Sequence, residues 1–152
     1  MLERSIPMYQ ECQSLAVHWC AKFARTKTSV YDLGCSTGTL LLNLAQIINH
    51  DVFLIGVDNS QAMLEKSKIA FKKSPIPFPC EFIEADLNQH ISIKNASVVV
   101  MNYTLQFISP NNRIPLLINL RKGILQGGAL ILIEKVKSGN PLLDRLFIDF
   151  HH

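Results

Sequence analysis

Residues 31–38, with the sequence YDLGCSTG, form the segment of this chain whose residue types most directly suggest ligand binding. Glycines between a strand and a helix let the backbone turn sharply and let a ligand approach, and the helix N-terminus offers free N–H donors. A dinucleotide fingerprint would need glycine at 36 and 39, where the chain has Ser36 and Thr39. The segment therefore favours a ligand without a pyrophosphate, with a plain tight turn as the alternative.

Two acidic residues follow later apolar runs in the order that a nucleoside site would need. Asp58 follows Gly34 at close to the offset of about 20 residues at which a carboxylate meets a ribose. Asp86 could accept from an adenine amino group while Leu87 packs on the ring. The structural alternatives are an N-cap for Asp58 and turn formation for Asp86. The three segments together predict a nucleoside site, although each alone is a weak signal.

Residues 102–107, NYTLQF, follow the fourth apolar run. This run is expected to form the strand across the switch point from the first strand, so Asn102, Tyr103 and Gln106 are the candidates for direct polar contacts with a ligand. Phe107 is expected in the core. No residue of the segment is an obvious base, so no catalytic residue is assigned.

Alternating strands and helices are predicted to position these segments. The patterns indicate helices at 10–25, 40–48, 61–73 and 112–125 and strands at 30–33, 52–57, 81–85, 97–101 and 129–135. In the fourth helix, Asn111 or Asn112 is the expected cap and Pro115 is expected in the first turn. Gly127 and Gly128 are expected to form the turn before the fifth strand. This order predicts an α/β fold with a doubly wound parallel sheet, whose ligands bind at the carboxyl ends of the strands.

Composition limits the class of protein. The chain has 152 residues, 48% of them hydrophobic and 18% charged, as expected where a sheet is buried on both faces. The formal charge of +3 is too small to indicate direct nucleic-acid binding. We expect one domain over 1–152, with an N-terminal helical segment at 1–28, the core at 29–137, and the start of a C-terminal helix at 138–152.

The cysteines and the N-terminus indicate a cytoplasmic protein. The four cysteines form no C-x-x-C pair and no zinc-finger spacing, so they are predicted to be reduced thiols and no metal site is expected. The first residues lack the apolar run of a signal peptide, and no run reaches the roughly 18 apolar residues of a membrane span. Cys35 at a helix N-terminus could be a nucleophile, but the motif around it contains no obvious histidine base.

Five segments carry a resemblance to a known family: RSIPMY at 4–9, VYDLGCSTG at 30–38, GVDNSQAM at 56–63, KNASVVVMNYTLQF at 94–107 and GGALILIEK at 127–135. Together they resemble the carboxy-S-adenosyl-L-methionine synthases, which belong to the class I S-adenosylmethionine methyltransferase superfamily. A generic methyltransferase would match the glycine turn and Asp58, but not SIPMY and NYTLQF in the same register.

The resemblance implies a Rossmann-like, mostly parallel sheet and an enzyme that converts S-adenosylmethionine and prephenate into carboxy-S-adenosylmethionine and phenylpyruvate. It implies a homodimer whose product would serve a carboxymethyltransferase that modifies the tRNA wobble uridine. In line with the composition, no metal, no membrane and no direct tRNA contact are expected. The bound nucleoside would be S-adenosylmethionine, its carboxylated form or S-adenosylhomocysteine. The positions implied to contact it are Tyr9, Gly34, Cys35, Ser36, Asp58, Asn59, Asp86, Leu87 and Asn102.

The family's members are longer at both ends, so the resemblance implies that this chain stops before the last two strands and before an arginine that pairs with carboxylates. The strand at 129–135 is therefore expected to be a bare sheet edge. The apolar stripe that follows Pro141 is expected to be uncovered. Two other functions remain open: an ordinary S-adenosylmethionine-dependent methyltransferase, and a module that binds the nucleoside without turnover.

Overall fold

A computed structural model describes residues 8–136 and 138–151 of the chain. Of the first segment that carries the family resemblance, residues 4–7 lie outside the described residues. The helices are α1 Tyr9–Phe23, α2 Thr39–Ile47, α3 Gln61–Lys73, α4 Pro110–Gly123 and α5 Pro141–His151. The strands are β1 Thr28–Leu33, β2 Val52–Asp58, β3 Cys80–Glu84, β4 Ala96–Asn102 and β5 Ile124–Ile133, and a 3₁₀ turn spans Leu105–Phe107.

The five strands form one sheet in the order β3-β2-β1-β4-β5. Every neighbouring pair is parallel, so the predicted doubly wound parallel sheet is confirmed. The strand order reverses between β1 and β4, because β2 continues on one side of β1 and β4 begins the other. The crevice at the carboxyl ends of β1 and β4 is therefore where this fold class binds its ligands.

Apolar side chains cover both faces of the sheet. Val30 packs with α1 and α2 on one face, and its neighbour Tyr31 packs with α4 on the other. Successive side chains of a strand point to opposite faces, so a strand covered on both sides is buried along its whole length. This explains why all six residues of β1 are buried.

The start of α4 differs from the prediction. The helix begins at Pro110, with Ser109 in the N-cap position, and Pro115 lies inside it beyond the first turn. Proline suits the first helical position because its fixed φ and missing N–H cost nothing there. Asn112 does not cap the helix; its side-chain amide donates to the carbonyl oxygen of Asn88 at 3.3 Å.

Gly127 and Gly128 do not form a turn that precedes β5, because this strand already begins at Ile124. Ala96 pairs with Ile124 and Val98 pairs with Ala129. Between these two pairings β5 therefore has more residues than β4. The prediction was wrong because α4 ends at Gly123, earlier than expected. A Cβ atom on Gly123 would collide with the backbone of Ile93, so the helix can pass directly into the sheet only through glycine.

Apolar side chains at one edge of the sheet are exposed, as expected. β5 is an edge strand, with Leu130 37% and Leu132 44% exposed. Leu142 and Leu146 of α5 are 64% and 54% exposed, so the described part of the apolar stripe is also uncovered. Within the described ranges, none of the helices has the length and apolar character that a membrane crossing requires.

Stability should depend on the face of α2 that lies against the sheet. Leu41 is fully buried, whereas Ile47 of the same helix is 53% exposed. Replacing Leu41 with Ala should lower the free energy of unfolding by about 2–5 kcal/mol, because the substitution leaves a cavity. Ile47→Ala is the matched control and should change it by less than about 1 kcal/mol. Urea denaturation followed by circular dichroism would measure both, and equal losses would contradict the packing described here.

Candidate functional site

The turn after β1 is closed by backbone contacts that only glycine permits. Gly34 has a φ of 82°, and a Cβ atom there would collide with the side chain of Thr104. The backbone N–H groups of Gly34 and Cys35 donate to the carbonyl oxygen of Val57 at 2.7 and 3.0 Å. The turn is thereby fixed between the end of β2 and the segment that follows β4.

Ser36 continues this turn in a left-handed conformation, with a φ of 48°. Its N–H donates to Asp58 Oδ2 at 2.8 Å, and its carbonyl oxygen accepts from the Ser67 hydroxyl at 2.8 Å. Asp58 Oδ1 accepts from the N–H of Ser60 at 2.9 Å, at the start of α3. Asp58 is therefore not the N-cap of α3, a position that Ser60 occupies; its carboxylate instead connects the turn after β1 to the residue before this helix. A carboxylate oxygen has two lone pairs, so both oxygens can also accept from a ligand.

Asp86 lies in the loop after β3 and is held by Asn88. Its Oδ1 accepts from the backbone N–H and the side-chain amide of Asn88, at 2.9 and 3.0 Å. These hydrogen bonds lower the pKa of the Asp86 carboxyl below its usual value. The side chain of Asn88 also accepts from the N–H of Ser109 at 2.9 Å, just before α4. Asp86 is thus an ionised acceptor on a loop that α4 holds in place.

Two adjoining cavities lie at the carboxyl ends of the strands. The larger has a volume of about 500 Å³ and the smaller about 70 Å³. Gly34, Ser36, Asn102 and Tyr103 line both. Tyr9 and Cys35 line the smaller, and Asp58, Asn59, Asp86, Leu87 and Gln106 line the larger. The structure therefore brings every residue singled out from the sequence to one continuous site.

Two residues that line the smaller cavity have side-chain oxygens that lack hydrogen-bond partners. Gln13 Oε1 and Asn102 Oδ1 are both buried without a donor. Asp32 lines the same cavity and is 3% exposed. Burial raises the pKa of its carboxyl to about 7, and the charge of Asp58 adds to the shift. A ligand group with several N–H donors would satisfy these acceptors.

Sequence reasoning did not assign Gln13 or Asp32. Gln13 lies one helical turn beyond Tyr9 on α1 and donates to the Tyr9 hydroxyl at 2.8 Å. That spacing places both side chains on one face of the helix. It is the sequence signal that could have identified Gln13 as a neighbour of Tyr9. Asp32 is part of the glycine-turn motif, but its inward direction is decided by its place in β1.

Tyr103 is a buried phenol at the boundary of the two cavities. Its φ is 57°, and its ring stacks on Tyr9 with centroids 6.4 Å apart. Burial raises the pKa of Tyr103, and a hydrogen bond with Cys12 raises it further, so the phenol stays protonated. Gln106 donates from its side-chain amide to the Tyr103 carbonyl oxygen at 2.9 Å. The amide of Gln106 therefore supports the strained backbone of Tyr103.

Phe107 does not lie in the core, contrary to the prediction. Its side chain is 76% exposed and lines the larger cavity. The reason is the 3₁₀ turn, which directs Leu105 into the second core cluster and leaves Phe107 outside it.

The Cys35 thiol is not activated for nucleophilic attack. Burial raises its pKa, and the nearby charges of Asp32 and Asp58 raise it further, so the neutral thiol is strongly favoured. Cys35 is also not at the helix N-terminus that would lower a thiol pKa, because α2 begins only at Thr39. Among residues 8–136 and 138–151, no three His, Cys, Asp or Glu side chains come together in a way that could hold a metal ion.

The fold and this site define a methyltransferase-type domain. Residues 30–128 match the family model described as a methyltransferase domain, and the chain belongs to that family. Among curated proteins, it is 42% identical over its whole length to a carboxy-S-adenosyl-L-methionine synthase of Methylococcus capsulatus, of which it covers 63%. It is 41% identical to the protein of that name from Vibrio vulnificus, of which it covers 62%. The chain thus spans less than two-thirds of the length of these relatives.

Solved structures share the fold at low sequence identity. The YcgJ protein from Bacillus subtilis matches 91% of this chain and 56% of its own, with a TM-score of 0.70 and 16% identity. The glycopeptide N-methyltransferase MtfA complexed with S-adenosylmethionine matches 79% of this chain and 48% of its own, with a TM-score of 0.62 and 16% identity. These likenesses establish the architecture of the sheet and its helices.

The glycine turn should not accept a side chain. Gly34→Ala should lower the free energy of unfolding by about 1–3 kcal/mol, because the residue is left-handed and the methyl group would meet Thr104. Gly139→Ala is the control, since nothing lies within 4 Å of a Cβ atom there. Thermal unfolding of both variants would test this, and identical midpoints would show that the turn has room.

Asp32 should make stability depend on pH. Its folded-state pKa of about 7 lies above the ordinary value of 3.8, so the folded state holds a proton that the unfolded state releases between these values. Stability should therefore fall as pH rises from about 4 to about 7, by at most about 4 kcal/mol. Urea denaturation across this range should show a smaller fall for Asp32→Asn. If Asp32→Asn shows the same pH dependence of stability as the wild type, Asp32 is not the source of that dependence.

Proposed function

We propose that this protein is a transferase that converts S-adenosylmethionine and prephenate into carboxy-S-adenosylmethionine and phenylpyruvate. The observation that carries the ligand assignment is the pair of buried oxygens without donors, Gln13 Oε1 and Asn102 Oδ1, beside Asp32. The similarity of the whole chain to carboxy-S-adenosyl-L-methionine synthases, at 39–42% identity, supports the choice of reaction.

S-adenosylmethionine presents donors where the site offers acceptors. Its α-ammonium group has three N–H donors, which suit Gln13 Oε1, Asn102 Oδ1 and the carboxyl of Asp32 in the smaller cavity. A buried acceptor without a partner costs about 1–3 kcal/mol, so supplying the donors would favour binding. The ribose hydroxyls would donate to Asp58, and the adenine amino group would donate to Asp86 beside Leu87 in the larger cavity.

The reacting end of the ligand would lie between the two cavities. Asn102 and Tyr103 line both of them, and Gln106 holds the backbone of Tyr103. These residues would orient the S-methyl group and exclude water from one side of it, because the Tyr103 ring is buried against Tyr9.

The overall transfer balances without an added oxidant or reductant. One hydrogen of the S-methyl group is replaced by a carboxylate, and prephenate loses a carboxylate and its ring hydroxyl as the ring becomes aromatic. The released proton and hydroxide leave as water. The proton can therefore leave with the hydroxide of the donor, which agrees with a site where burial keeps Tyr103 and Cys35 protonated.

The proposal includes the partners of the reaction. We expect the protein to act as a homodimer in the cytoplasm and to pass its product to a carboxymethyltransferase that modifies the wobble uridine of tRNA. No direct contact with tRNA is needed, because the small molecule carries the group, and the net charge of +3 is low for nucleic-acid binding.

Methyl transfer to another acceptor is the second candidate function. The observation in its favour is the methyltransferase-domain match over residues 30–128, which does not distinguish the two reactions. A module that binds the nucleoside without turnover is the third candidate.

Mass spectrometry of the reaction products would separate these functions. The protein is incubated with S-adenosylmethionine, with and without prephenate. We expect carboxy-S-adenosylmethionine and phenylpyruvate in equal amounts, and only when prephenate is present. Methylated acceptors without prephenate would favour a methyltransferase, and bound but unchanged S-adenosylmethionine would favour the binding module.

Asp58 should contribute to ligand affinity. Asp58→Ala should weaken the binding of S-adenosylhomocysteine by about 1–3 kcal/mol in calorimetry, because hydrogen bonds from the ribose to a charged acceptor are lost. Asp51→Ala removes the same charge at an exposed position outside both cavities and should bind as the wild type does. Circular dichroism would establish that both variants are folded. Unchanged affinity in folded Asp58→Ala would remove the ribose assignment.

A further inference from the structure

A single positive charge stands among the acidic groups of the site. In the described part of the chain, the residues that line the two cavities include Asp32, Asp58 and Asp86 and one cation, Lys135. We propose that Lys135 binds a carboxylate of the reacting molecules and thereby makes the site prefer carboxylated ligands. This inference rests on the function proposed above, which supplies carboxylates that a cation can bind.

Contacts between the ends of β4 and β5 place Lys135 at the cavity. The N–H of Tyr103 donates to the carbonyl oxygen of Ile133 at 2.7 Å. The N–H of Leu105 donates to the carboxylate of Glu134. The segment that contains the proposed methyl-orienting residues is thus tied to the two residues that immediately precede Lys135. The cation therefore lines the larger cavity together with Asn102, Tyr103 and Gln106.

The charge of the ligand decides what Lys135 can do there. S-adenosylmethionine carries a positive sulfonium, so a fixed cation nearby makes no favourable interaction with the reacting end of this ligand. A carboxylate attached next to the sulfonium reverses this, because it neutralises the sulfonium and accepts hydrogen bonds from an ammonium. A lysine ammonium has three donors, so it can bind an incoming carboxylate in addition to its existing contacts.

Besides the α-carboxylate that S-adenosylmethionine and S-adenosylhomocysteine both carry, two groups of the reaction could supply the carboxylate. One is the carboxymethyl group of the product, and the other is prephenate. Phe107 is 76% exposed and lines the same cavity, where it offers an apolar surface to the ring of the donor. Lys135 itself is exposed, so the interaction should be modest and should weaken as salt concentration rises.

Calorimetry with carboxy-S-adenosylmethionine and S-adenosylhomocysteine would test the proposal. Lys135→Gln should weaken binding of the carboxylated ligand by about three- to tenfold and change S-adenosylhomocysteine binding by less than about twofold. Lys135→Arg should recover most of the loss because it keeps the charge. Lys72→Gln removes a charge from an exposed position on α3, outside both cavities, and should have no effect.

Steady-state kinetics would identify the source of the carboxylate. If Lys135 binds the donor, Lys135→Gln should raise the KM for prephenate by about three- to tenfold and leave the affinity for carboxy-S-adenosylmethionine unchanged. Either selective effect supports the proposal. If Lys135→Gln changes neither quantity while the wild type makes the product, Lys135 does not bind a carboxylate. If the wild type neither prefers the carboxylated ligand nor makes it, the proposed function fails and this inference falls with it.

Discussion

The site depends on the close approach of the Gly34 turn to the segment that follows β4. Any side chain at Gly34 would collide with Thr104. The carbonyl oxygen of Val57 accepts hydrogen bonds from the N–H groups of Gly34 and Cys35. This contact brings together segments that follow three different strands. The same approach places Asn102 and Tyr103 beside the turn, so that they line both cavities.

Acceptors dominate the chemistry of this crevice. Asp58 holds the turn and the start of α3, while Asp86 is held by Asn88 on an exposed loop. Burial raises the pKa of the Asp32 carboxyl to about 7, whereas hydrogen bonds lower the pKa of the Asp86 carboxyl. Chemically similar side chains therefore differ in their protonation within one crevice. A ligand rich in hydrogen-bond donors would suit these acceptors.

The errors of the sequence-based prediction occurred where local signals had more than one solution. Asn112 is a good helix cap by residue type, but in the structure it binds the loop at Asn88. Gly127 and Gly128 are typical of a turn, yet they lie within β5, because α4 ends at Gly123 against Ile93. Phe107 was expected in the core by its residue type, and the 3₁₀ turn exposes it. For Asn112 and for the two glycines, a contact between distant segments decided the outcome.

The sequence by itself determined the order of the elements, the parallel sheet and the residues at the strand ends, because apolar periodicity and glycine placement are local properties of the chain. Only the tertiary structure decided that Gln13 and Asn102 leave buried oxygens in one cavity and that Lys135 lines the other. Those facts depend on which strands become neighbours and on how deeply each side chain is buried. Residue type and spacing along one chain do not determine either property, because they result from packing between segments far apart in sequence.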